Sequence, residues 1–316
     1  MWATGNKKDG QIVTIEEGIG LVRRTMTSVV ATGKLPFHSL LGFMRSSLLG
    51  TVALVLLVGL MFIGLFPQLV APYDSSQLFY TNLKQPPSMD HWAGTDFIAR
   101  DSLSRIIYGA RITLLVAFVS VFIGDSLGFC WGVMTGYLGK KFDLISQRVL
   151  DMFIAFPTII LALLLLAALG AGLFTIILAI TVVRIPGTAR VIRSVALTIR
   201  ASQYVEAAEA IGASQIRIMV RHVAPQCFAP LFVVASAGLG AAIFTEAALS
   251  FLGMGVPPPT PTWGNMLGGV LNELFRPPWW LVVFPGVAIT VTILAFNLLG
   301  DALRDYLDPR LRGRLG

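Results

Sequence analysis

Residues 152–183 read MFIAFPTIILALLLLAALGAGLFTIILAITVV, a run without one charged side chain. A bilayer core of ~30 Å takes about 20 apolar residues as a helix, so this run is too long for one crossing. Gly170-Ala-Gly172, near its middle, supplies a tight turn, and the spacing predicts two helices over about 150–169 and 173–193. Working outward, the uncharged stretches 46–73 and 279–300 each provide another crossing. So do 112–139, which carries only Asp125, and 226–252, which carries only Glu246. The expectation is an all-α integral membrane protein with six transmembrane helices.

Composition agrees. The chain is 55% hydrophobic and 13% charged, far from a soluble domain. Its formal charge of +7 could suggest nucleic acid, but the placement of the charges argues otherwise. Of 24 Lys and Arg, all but Lys84, Arg100, Arg105, Arg111 and Arg276 fall before the first span, after the second, around the fourth and the loop behind it, or after the sixth. The positive-inside rule therefore puts both termini in the cytoplasm and accounts for the basic pI without a nucleic-acid partner. Cys130 lies within one apolar run and Cys227 begins another, which reads as two small buried side chains. His38, His91 and His222 are widely separated, and neither a Gly-rich Gly-Lys-Ser/Thr loop nor His-Glu-x-x-His occurs. No catalytic residue, no metal site and no cofactor bound by this chain are expected. Residues 1–45 lack the apolar core and cleavage site of a signal peptide. Ile12, Ile15, Ile19 and Val22 recur there at helical steps, as in an amphipathic surface helix; a disordered tail is the alternative.

Between the fourth and fifth spans, residues 195–225 include Tyr204-Val-Glu-Ala-Ala-Glu-Ala-Ile-Gly-Ala-Ser214. Gln203–Ile211 is rich in helix formers, and Gly212 can close that helix in the left-handed conformation. Ser214 is placed to cap a second short helix, Gln215–His222, which Pro225 is expected to stop before the fifth span. Alanines 207, 208 and 210 would let this knob seat closely in a partner's groove. The plainer reading is a connector lying on lipid headgroups.

Asp125, Arg184 and Glu246 lie within or near apolar spans. Each costs about 2.5–3.5 kcal/mol at the membrane centre, so each faces protein or water. They line a solute path, or they pair across helices and fix the packing. Gly128, Gly132 and Gly136, and Ala235, Gly238, Gly240 and Ala241, form small-residue stripes for close helix contact.

Glu206, Ala207, Ala208, Gly212 and Pro225 fall on the spacing of the EAA loop of ABC importer permeases. The resemblance extends over roughly residues 70–313. It includes His91-Trp-Ala-Gly-Thr-Asp96, Arg100-Asp101, Tyr108-Gly-Ala-Arg111, Gly136-Tyr-Leu-Gly139 with Asp143, Ala155-Phe-Pro157 and Leu249-Ser-Phe-Leu-Gly-Met-Gly255. Pro257–Gly264, Phe296–Asp305 and Leu307-Asp-Pro-Arg310 extend it. The chain resembles the second permease of the dipeptide/oligopeptide/nickel branch. It departs from that branch at Ala99 and Lys140, where glycine is usual, and at Ala93 and Ala224, where leucine is usual.

The resemblance implies a type I ABC importer permease fold over residues 46–316, with outer loops 70–110 and 253–278 and a cytoplasmic tail 301–316. Tyr204, Glu206, Ala207, Ala208, Gly212, Ser214 and Pro225 would mark the coupling loop, inserted in a cleft of an ATPase subunit. ATP and Mg2+ would belong to two such ATPases. The other implied partners are a homologous second permease and an extracytoplasmic solute-binding protein docked on the outer loops. The location would be the cell membrane, the inner one in a Gram-negative source. Dipeptides or oligopeptides are the implied solutes, with nickel complexes, glutathione or another small solute as alternatives. A reading of another class is an ion-driven secondary transporter with proton sites at Asp125 and Glu246. No inverted repeat or paired broken helices support it.

Overall fold

Backbone polar groups inside a bilayer must be satisfied within their own segment, and each apolar run accordingly becomes helix. The computed structural model describes residues 48–270 and 277–307, so the expectations for residues 1–45 and for the end of the tail lie outside the described residues. In chain order the elements are α1 (Leu48–Leu65), α2 (Pro67–Val70), α3 (Ser102–Leu138), α4 (Lys140–Ile154), α5 (Thr158–Leu169) and α6 (Leu173–Arg200). They continue with α7 (Gln203–Ala210), α8 (Gln215–Ile218), α9 (Phe228–Phe251), α10 (Trp263–Val270) and α11 (Trp279–Leu307). Among the described residues the only extended pairing is one bridge between Thr95 and Asp101.

Among the described residues, five helical runs are long and apolar enough to cross a bilayer: α1, α3, α6, the run Gln215–Phe251 and α11. The sixth crossing exists only as the bent pair α4 and α5, whose axes differ by 84°. The expected straight helix over 150–169 is thus corrected. Pro157 disfavours helical geometry at Phe156, and the chain breaks between Ile154 and Thr158. The 12 residues of α5 span only about 18 Å. Pro225 does not act as the expected stop either. A π turn over Met219–Val223 and a 3-10 turn over Ala224–Cys227 carry α8 into α9, with Pro225 at the start of the 3-10 turn, where its missing N–H is tolerated.

The most extensive helix contact among the described residues joins α3 to α6. A Cβ added at Gly128 would lie 2.8 Å from Thr188 Cβ, at Gly132 2.6 Å from the Ala189 carbonyl, and at Gly136 2.6 Å from Ala196 Cβ. The stripe of small residues therefore lets the two backbones touch, as close packing in lipid requires. One apolar core holds α3, α5, α6, α9, α10 and α11 together through Leu114, Leu166, Ile180, Leu249, Trp263 and Phe296. A second lies at one end of the bundle around Val133, Tyr137, Ile192, Ile218 and Cys227. Cys227 is buried as expected, whereas Cys130 is exposed on the surface of α3, because an apolar run does not by itself say which face turns outward.

At the opposite end, the segment between α2 and α3 folds as a cap. His91 Nδ1 lies 2.9 Å from Asp101 Oδ1, and Asp101 Oδ2 accepts from the Ser104 N–H and hydroxyl, capping α3. Trp280 Nε1 donates to the Thr95 carbonyl, tying the cap to the start of α11. Ala99 and Lys140, the two positions where the resemblance expects glycine, have φ of 65° and 52°. A left-handed non-glycine residue costs roughly 1–2 kcal/mol, against about 0.4–1 kcal/mol for the extra freedom of an unfolded glycine. Lys140→Gly is accordingly expected to stabilise the protein by about 1 kcal/mol, readable as a higher thermal midpoint in detergent. Ala99→Gly should be near neutral, since it also removes a buried methyl group.

Candidate functional site

α7 starts after Ser202, whose carbonyl accepts from the Val205 and Glu206 N–H groups. It closes at Gly212, with φ of 79°, where the Gly212 N–H reaches the Glu209 carbonyl at 3.0 Å and the Ala213 N–H the Ala208 carbonyl at 3.1 Å. Those bonds take up carbonyls left open at the helix end, the role predicted for this glycine. Ser214 Oγ accepts from the Arg217 N–H at 3.4 Å, so the predicted cap forms. The second helix is only Gln215–Ile218 before the π turn, shorter than expected.

The hairpin has a rooted underside and a free outer face. Val205, Ala208 and Ile218 are 1%, 6% and 0% exposed and pack with Tyr137, Ile192 and Ala196 on the ends of α3 and α6. Ala208 thus faces its own bundle rather than a partner, which corrects part of the knob reading. Tyr204, Glu206, Ala207, Glu209, Ala210, Gly212 and Ser214 are exposed, while Pro225 is half-buried in the turn toward α9. The Tyr137 hydroxyl approaches Glu209 Oε1 at 3.5 Å, a further tie between α3 and α7. The sequence reading overlooked Ile211 and Ile216, which are 85% and 71% exposed at the tip. Two isoleucines in an alanine-rich polar loop were the available signal. They give the free face of the hairpin two apolar side chains beside its charged ones.

Within the bilayer, Asp125 and Arg184 meet. Arg184 Nη2 donates to both Asp125 oxygens at 2.7 and 2.8 Å, and Nε to Oδ1 at 3.1 Å. The Thr188 hydroxyl adds a bond to Asp125 at 2.6 Å, and Arg184 Nη1 reaches the Gly238 carbonyl at 3.3 Å. One guanidinium therefore ties α3, α6 and α9 together, with its charge matched where an unmatched one is expensive. Gly238 is required for this seat, because a Cβ there would lie 2.1 Å from Arg184 Nη2. Arg184 also borders a groove of about 430 Å³ between α6 and α9, lined by Gly187, Thr188, Ala237, Ala241 and Thr245.

Glu246 is not part of that constellation. It is 0% exposed and accepts from the Thr113 hydroxyl at 3.2 Å and the Ser250 hydroxyl at 2.7 Å. Thr113 Oγ1 in turn accepts from the Trp263 N–H, so Glu246 sits under the start of α10. Its partners are hydroxyl groups, whereas Asp125 has a guanidinium.

The chain is similar to known proteins. The family model described as "Binding-protein-dependent transport system inner membrane component" matches residues 128–313. The glutathione transport system permease protein GsiD of Escherichia coli O1:K1 / APEC is 38% identical over 279 residues, covering 88% of this chain and 92% of that protein. GsiD of Shigella boydii serotype 4 (strain Sb227) has the same identity and coverage. Among solved structures, the MetNI methionine ABC transporter in inward-facing conformations aligns with a TM-score of 0.50 and 21% identity, over 63% of this chain and 96% of that one. At that identity the likeness speaks for the fold.

Proposed function

Since this chain belongs to the family of binding-protein-dependent transport system inner membrane components, we propose that it carries short peptides through the membrane and draws its energy from ATPase partners through the 203–218 hairpin. The chain is a multi-pass permease subunit of an ABC importer, of a family that is not catalytic. The finer reading adds a homologous second permease, two ATPase subunits holding ATP and Mg2+, and an extracytoplasmic binding protein. It also places the hairpin end in the cytoplasm, as the Lys and Arg distribution supports.

The observation that carries the reading is the two-faced hairpin: Val205, Ala208 and Ile218 root it in the bundle while Ile211 and Ile216 project from it. A knob built this way transmits force rather than yielding to it. When ATP draws two ATPases together, each hairpin seated in them would carry α6 and α9 as rigid bodies, the rocking that alternates access. The groove beside Arg184 is the proposed stretch of solute path, with Asp125 holding the guanidinium in place. Glu246, sealed beneath α10, would then brace the path's outer end. A short zwitterionic peptide suits such a path, and the relatives named for glutathione, a tripeptide, favour a solute of that size.

Proteoliposomes holding this chain with a partner permease, ATPases and a binding protein from the same source provide the test. Uptake of labelled glutathione, dipeptides and longer peptides is expected to require ATP on the hairpin side and to ignore collapse of a proton gradient. Uptake without the ATPases, lost when the gradient is dissipated, would overturn the proposal and favour a secondary transporter.

A further inference from the structure

α4 is amphipathic the wrong way round for a helix at a protein–water boundary. Its protein-facing side carries Asp143, ion-paired to Arg193 of α6, with Ser146 and Leu150 buried beside it, while Asp151 pairs with Arg190 of α6 at the exposed edge. Its outward side carries Leu144, Ile145 and Met152, each more than 60% exposed. A surface of that kind is stable only in an apolar surrounding. The 84° bend to α5 turns α4 across the direction of the crossing helix, and the oily surface continues onto α5 through Ile160 and Leu164. Two cations, Lys141 and Arg148, stand on the same outward side and are exposed. Neither forms an ion pair among the described residues, since the acidic groups of α4 are taken by α6. The outward face therefore combines apolar stems with uncompensated positive charge.

We propose that α4 is an interfacial helix that lies at the headgroup plane and holds anionic phospholipid through Lys141 and Arg148. The aliphatic groups enter the acyl boundary while the cations reach up to phosphate, as long basic side chains do at membrane surfaces. A basic residue at an anionic surface is worth about fivefold in binding, so the pair gives roughly 25-fold, screened as salt rises. Because the partly buried Asp143–Arg193 pair ties α4 to α6, lipid held here also steadies the helix that leads into the hairpin.

A photo-reactive benzoylphenylalanine in place of Leu144 or Ile145, in the assembled transporter, tests this directly. In vesicles with equal phosphatidylglycerol and phosphatidylcholine, the adducts are expected to be phospholipid and enriched severalfold in phosphatidylglycerol. The double variant Lys141→Gln/Arg148→Gln should bring that ratio close to one at low salt, while Lys141→Arg keeps it. Adducts to an ATPase or to the second permease would overturn the proposal by showing a protein interface. Lipid adducts with no headgroup preference would equally overturn it, because the cations would then have no role.

Discussion

Gly212→Pro is expected to abolish solute uptake while the protein still inserts and assembles its helices. The backbone at 212 has φ of 79°, and proline is confined to about −65°, so the turn between α7 and α8 cannot form as it stands. Proline also removes the N–H that bonds the Glu209 carbonyl. The damage is local, since a side chain at 212 meets nothing within 4 Å and the apolar root at Val205 and Ile218 lies elsewhere. Gly212→Asn, which accepts left-handed geometry at little cost, should keep most transport. Glu206→Lys leaves the turn intact but inverts a charge on the free face, and is also expected to stop uptake. Uptake is read against membrane yield and ATPase co-purification. Normal uptake with stable ATPase association in the proline and lysine variants would remove the hairpin from the energy-coupling route.

Asp125→Ala should have the largest effect on stability, a loss of about 3–5 kcal/mol, the usual cost of stranding a buried charge. The guanidinium of Arg184 would keep only the Gly238 carbonyl, inside the bilayer, and Thr188 would lose its acceptor. Removing both charges as Asp125→Leu/Arg184→Met should recover most of that loss, because well-packed apolar groups replace an ion pair at little cost. Thermal unfolding in detergent of Asp125→Leu, Arg184→Met and the double variant measures the coupling. If Asp125→Ala unfolds like the parent, the pair does not hold the bundle together. If the double variant folds but fails in uptake, the charge at Arg184 serves the solute path.

The parts of this fold legible in sequence are those decided by neighbouring residues. Charge-free runs give the crossings, Gly170 and Gly172 give the reversal between α5 and α6, and Gly212 and Ser214 give the hairpin turn and its cap. Direction and face were harder. Ala155-Phe-Pro157 stood out as a motif, but hydropathy is blind to the angle at which a run continues, so the bend was missed. α7 is too short for periodicity to place Ala208 underneath. Asp125 and Arg184 were each read as a costly charge, and their meeting depends on the register of α3 against α6. That register is set by the glycine stripe, since Gly124 abuts Arg184 Cβ and Gly128 abuts Thr188. The information was present in residues read only as a packing face. Ile211 and Ile216 give no signal of facing, because single isoleucines flanking a turn between helices of eight and four residues belong to no period.

The unbroken run from Gln215 to Phe251 makes one shaft of what would otherwise be a handle and a separate axle. Its 37 residues reach roughly 55 Å, from the grip beside Ile216 to a point past Glu246. The π and 3-10 turns near Pro225 leave some torsional slack but no joint. A push on the grip therefore arrives at the far rim as a twist or tilt of the same rod, and any slip must be taken up where that rod meets its neighbours.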